Sequence, residues 1–223
     1  MSIVRSLIRK DLVIEYRSRQ AFVTTLFFGL LVLVVGNFAL SVAGDQYPVF
    51  APGILWISFL FSGLLFLNHI LYIEKDESTL SGLLISPATP GQIFLGKMLS
   101  ALLFLIALEA LLFPVFHILF NFSFTINSLW LFLVIVFAAV GYCSLGVLFS
   151  TMSLNLKNRE MILSAILFPI LLPMLVMAVK CSIILLNHLQ MNQFYSWLKL
   201  LIAFDVIFVV LSYWSYYWIL EEV

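Results

Sequence analysis

Apolar residues in this chain come in long unbroken runs, roughly 21–43, 50–73, 98–120, 128–150, 161–181 and 197–220, divided by shorter polar stretches. Each run has the roughly 20 residues that a helix needs to cross a bilayer core, whereas membrane β-strands would alternate over about ten. The pattern predicts an all-α membrane protein with six transmembrane helices. The longer polar stretches are 1–20, 74–97, 151–160 and 182–196. In the first, Val4, Ile8, Leu12 and Tyr16 recur at every fourth position with Leu7 beside them, while Arg5, Arg9, Lys10 and Arg17 point elsewhere. That is the signature of a basic amphipathic helix lying in the membrane interface, either a topology anchor or an elbow touching a cytoplasmic partner. The chain thus divides into an interfacial helix, 1–20, and one transmembrane domain, 21–223.

Composition agrees with this division: 64% of the 223 residues are hydrophobic and 10% charged, against roughly 45–50% and 25% in soluble domains. No length remains for a large soluble catalytic module. Eleven Lys and Arg balance eleven Asp and Glu, so there is no broad basic surface for nucleic acid. Nine of the basic residues, from Arg5 through Arg159, fall on one side of the predicted spans and only Lys180 and Lys199 on the other. The positive-inside rule then puts both termini in the cytoplasm of a multi-pass inner-membrane protein. Tyr47, Trp130, Tyr195 and Trp197 near the outer boundaries, with Tyr72, Tyr217 and Trp218 near the inner ones, fit interfacial anchors. Cys143 and Cys181 have no redox or metal spacing.

Two motifs resemble signals but fail chemically. Ser41-Val42-Ala43 looks like a signal-peptidase site, yet the charged leader and apolar run before it are too long for a signal peptide. The stretch from Gly91 to Met98 resembles a phosphate-binding loop, but Met98 stands where a hydroxyl must hold magnesium, and no strand precedes it. ATP is therefore not expected to bind this chain. His69, His117 and His188 belong to three different segments with no metal-ligand spacing, and no nucleophile motif appears. No catalytic residue, metal ligand or tightly bound cofactor is expected.

The connection at about 74–92 has a different character. Glu74, Asp76 and Glu77 sit where a helix start favours acids, Leu80, Leu83 and Leu84 fall on one face, and Pro87 stops the turn. This reads as a short cytoplasmic docking helix, with an interfacial turn as the alternative. Thr89, Pro90 and Gln92 have N-cap, N1 and N3 chemistry for the next helix. Inside the spans, Glu109 lies near the middle of the third run and Asp205 toward the outer end of the sixth. An ionisable group at such depth should face a bundle interior, a cavity or a partner, or be protonated and packed. Asn37 and Asn68 are expected to hydrogen-bond between helices, and Gly141, Ser144 and Gly146 to allow close helix contact. Pro169 and Pro173 each remove a helix hydrogen bond and predict a hinge in the fifth span, and Pro114 punctuates the third.

In this arrangement the chain resembles type-2 ABC exporter permeases and, more narrowly, the CcmB family of haem exporter B proteins. The carriers are Arg9-Lys10-Asp11-Leu12, Ala51-Pro52-Gly53-Ile54-Leu55-Trp56, Thr79-Leu80-Ser81-Gly82-Leu83-Leu84-Ile85-Ser86-Pro87, Gly141-Tyr142-Cys143-Ser144-Leu145-Gly146 and Leu167-Phe168-Pro169-Ile170-Leu171-Leu172-Pro173. Asn68-His69 stands where the family usually has an Asp-Arg pair, and Ser78 where Gly is common. The resemblance implies a membrane permease subunit for cytochrome c biogenesis, working with a CcmA-like cytoplasmic ATPase and CcmC-like, CcmD-like and CcmE-like haem-handling proteins. It also implies two copies per complex and haem handled by the assembly rather than bound as a cofactor. The competing readings are a type-2 ABC permease for a lipid or polysaccharide, and an ion-coupled secondary transporter using Glu109.

Overall fold

The computed structural model describes residues 2–41, 47–76, 88–153 and 159–222 of the chain. Among them are seven helices: α1 (Ser2–Ser18), α2 (Gln20–Leu40), α3 (Tyr47–Asp76), α4 (Pro90–Leu119), α5 (Ile126–Ser153), α6 (Arg159–Leu186) and α7 (Met191–Glu222). The last six are each long and apolar enough to cross a membrane. The leader forms the predicted separate helix. The boundaries of three spans differ from the apolar runs. The third begins at Pro90 and carries Lys97 within it, and the fifth and sixth extend to Leu186 and from Met191, so Lys180 and Lys199 are helical. Single charges end an apolar run on paper, but each one interrupts only one face of a helix whose backbone bonds continue.

The start of α4 follows local chemistry: the Thr89 backbone N–H donates to Gln92 Oε1 at 3.1 Å, and Pro90 takes the first helical position. At the other end, Phe122 N–H donates to His117 O and the chain reverses into α5 within six residues. Between α1 and α2 lies a single residue, Arg19, in the left-handed conformation with φ of 50°. Its N–H still donates to Glu15 O and its carbonyl accepts from Val23 N–H, each at 3.0 Å. That is a tight corner rather than a loop, and it turns the leader across the bundle.

α5 is the central element, packed against α3, α4, α6 and α7. In its most apolar stretch 72% of residues are buried, against 22% in α2 and 17% in α7, which therefore form the outer walls. Small residues set the close contacts. A side chain on Gly63 would run into the ring of Tyr142, which is fully buried and donates to Leu60 O at 3.2 Å. Ser58 donates to Gly29 O and Ser62 to Thr25 O, joining α2 to α3. Trp56 Nε1 donates to Ser182 Oγ at 2.8 Å, joining α3 to α6. In a lipid solvent such bonds and close approaches replace the hydrophobic drive between helices.

Candidate functional site

Two places concentrate polar chemistry: the interior of the bundle and the end where α1 lies. In the interior, Glu109 on α4 is 1% exposed and Asp205 on α7 is 4% exposed, and no carboxylate oxygen of either has a hydrogen-bond partner. Both acids turn inward, as their depth requires. They do not form a pair. The carboxylate of Asp205 lies directly against Gly141 of α5 with Met174 of α6 beside it. The Phe113–Phe132 and His117–Ser128 contacts level Glu109 with about residue 136 of α5. At ~1.5 Å per residue the two acids are therefore roughly 7 Å apart in depth. Asp205 falls at the middle of α7, not toward its outer end as its place in the apolar run implied, because α7 begins at Met191.

The histidines separate clearly. Phe113 O can only accept, so His117 Nδ1–H donates to it at 3.1 Å, and Nε2, 3.0 Å from Ser128 Oγ, accepts the hydroxyl proton. Ser128 Oγ in turn accepts from Thr125 N–H, which leaves the buried His117 ring fully engaged in closing the α4–α5 hairpin. His188, with φ of 51°, accepts from Asn127 Nδ2 at 3.1 Å at the same end of the bundle. Asn37 meets its expectation by donating to Tyr47 Oη at 2.8 Å and to Leu119 O at 2.6 Å. The Oδ1 atom of Asn68 is buried without a hydrogen-bond partner. Pro169 and Pro173 lie on the exposed face of α6, inside one continuous helix. Among the described residues no group of three or more His, Cys, Asp or Glu could hold a metal ion.

At the opposite end, α1 packs along the first turns of α4. Leu7 is buried there, and Gly96 is the reason it fits: a Cβ on Gly96 would stand 3.0 Å from the Leu7 side chain. Asp11 and Glu15 follow Leu7 at successive four-residue steps, so the same ridge that carries an apolar residue into the seam carries two acids after it. Asp11 pairs with Lys10 at 3.3 Å. Glu15 comes within 3.9 Å of His69 Nε2 on α3, and burial pushes its carboxyl above the usual carboxylate range. Lys97 is 8% exposed and lies within electrostatic reach of Asp11 and Lys10. Sequence reasoning missed Lys97, Asp11 and Glu15 as a group. The repeat Leu7, Asp11, Glu15 was the available signal for the acids, and nothing local pointed to Lys97. Of the residues expected to couple to an ATPase, Glu74 and Asp76 belong to the last turn of α3, while Glu77, Leu80, Leu83 and Leu84 lie outside the described residues.

The model of the CcmB protein family matches residues 2–219. The chain belongs to the CcmB family. Comparison with curated proteins gives no match. A CcmB-family chain is a permease subunit, not itself an enzyme, in the haem-export ABC system of cytochrome c biogenesis. In those terms the amphipathic leader of this CcmB-family chain is part of the folded bundle, seated on α4, and the intramembrane acids lie in its interior on α4 and α7.

Proposed function

We propose that this chain is the membrane subunit through which a separate, CcmA-like cytoplasmic ATPase drives haem delivery or the release of a haem-loaded, CcmE-like periplasmic chaperone. It works in the inner membrane with both termini cytoplasmic, as two copies per complex, beside CcmC-like and CcmD-like proteins. The observation that carries this reading is the family match over residues 2–219. The seam of α1 on α4 supports it, because a push on the basic end would reach the central α5 through α4. The segment from Glu74 to Gln92 is the ATPase's contact, with Leu80, Leu83 and Leu84 as its apolar face.

The test is Leu83→Asp or Leu84→Asp. Burial of one such Leu is worth about 1.5–3 kcal/mol, and a charge adds to the loss. The variants should insert in the membrane but lose the co-purifying ATPase and cytochrome c maturation. Retention of the ATPase at wild-type stoichiometry with normal maturation would remove this segment as the coupling element.

A further inference from the structure

Of the six described spans, α7 alone contains neither proline nor glycine. Pro52, Pro114 and the pair Pro169 and Pro173 interrupt α3, α4 and α6, and α2 and α5 carry glycines. Sharp bends in long helices sit at such residues, so α7 is the stiffest member of the bundle. Its 32 residues make it about 48 Å long. It also lies along α5 from end to end. The rings of Phe194 and Trp130 are 6.0 Å apart, Asp205 lies on Gly141, and Tyr216 and Thr151 share a hydrogen bond of 3.3 Å. Each α7 residue thus meets the α5 residue 64 or 65 positions before it, and the two helices run parallel in constant register.

At the α1 end, the opening turns of α4 bear on α7. The Tyr213 ring lies over Gly91, where a Cβ would stand 2.7 Å from two of its carbons. Phe94 is fully buried and sets its ring edge-on to Tyr213 at 6.2 Å and tilted against Tyr216 at 5.3 Å. Any displacement of Gly91 and Phe94 therefore presses on two α7 rings at once. Carried along α4, such a displacement meets Pro114 before the far end, and along α5 it meets Gly141 and Gly146. Along α7 it meets no such break over the whole depth of the bundle.

We propose that α7 is the rod that carries the ATPase's stroke across the membrane, with Phe94 and Tyr213 as the positioning residues that engage it. This rests on the proposed function, in which the α1 end is cytoplasmic and the segment from Glu74 to Gln92 meets the ATPase. Movement of the first turns of α4 is taken up by Tyr213 and Tyr216, and α7 slides along α5 as one body. It emerges at the far end as a movement of Phe194 and of the exposed Asn192, Gln193 and Tyr195, the surface turned there toward a periplasmic partner.

The full-length protein is purified with its ATPase and spin-labelled at Phe38 and Ser196, exposed positions on α2 and α7 at the end away from α1. Labelled chain is diluted with unlabelled chain, and the distance is compared without nucleotide and after trapping with ATP and vanadate. In the wild-type protein it should shift by about 2 Å or more, the scale of helix movements in coupled assemblies. Tyr213→Ala and Phe94→Leu should lose at least half of that shift and at least half of cytochrome c maturation while the trapped ATPase stays bound. Tyr213→Phe, which keeps the ring, should retain both. Should Phe94→Leu fail to fold, the two Tyr213 variants decide. With the trapped ATPase bound, an unmoved wild-type pair or a full shift in Tyr213→Ala would overturn the role of α7 and leave the proposed function standing. A wild-type protein that binds no ATPase would overturn the proposed function, and the rod with it.

Discussion

Replacing Leu7 with Asp attacks the seam on which the proposed coupling depends. Leu7 is 9% exposed and sits where Gly96 lets α1 come close to α4. Removing that burial costs about 1.5–3 kcal/mol. The new carboxylate would also stand one turn from Asp11 and be pressed against an apolar surface, so the penalty exceeds the burial alone. At 1.4 kcal/mol per factor of ten, the ratio of seated to released α1 should fall by about tenfold to a hundredfold or more. Spin labels at the exposed positions Arg5 and Leu99 read that ratio directly, as a short, narrow distance distribution that becomes long and broad. The six spans do not depend on this contact, so insertion and expression should be unchanged. Cytochrome c maturation should fall in step with the released fraction. A narrow wild-type distance in Leu7→Asp would refute the seam's energetic role, and full maturation with α1 released would refute its part in coupling.

Further expectations follow from single contacts. Glu109→Gln keeps the shape of a buried side chain and removes its charge state, so assembly should stay near normal; lost maturation would make Glu109 functional, and full activity would make it a packing residue. Gly141→Ala drives a methyl group into the Asp205 carboxylate, and overpacking of this kind costs about 1–3 kcal/mol, measurable as a lowered midpoint of thermal unfolding in detergent that Asp205→Ala should partly restore. Burial raises the Glu15 carboxyl, so its seated state is favoured by the proton. Seating of α1 is then strongest below the ordinary carboxylate value and weakens as pH rises through the raised one; Glu15→Gln should flatten this dependence in the same spin-label measurement.

Much of the architecture was readable from the chain because the membrane imposes it. Six apolar runs must become six helices once no water can satisfy the backbone, and an acid in such a run must turn inward. Thr89, Pro90 and Gln92 announced the start of α4 because capping is local chemistry. What was not readable depends on contacts between distant parts of the chain. Lys97 looks like a loop residue until α4 is seen to begin at Pro90 and α1 to cover it. Gly96 and Gly63 read only as small residues, since nothing nearby in sequence names Leu7 or Tyr142 as the group each makes room for. The level of Asp205 was hidden for the same reason: helix ends, not apolar runs, set the depth at which a residue sits.

In the proposed function this permease subunit acts only through a separate ATPase. The most direct test is to extract the protein from native membranes in mild detergent, identify every subunit that stays with it, and compare cytochrome c maturation with and without that ATPase's hydrolytic activity. An ATPase bound at fixed stoichiometry, and maturation that stops when its hydrolysis is blocked, are the expected results. Maturation that continues without any ATPase and responds instead to an ion gradient would contradict it.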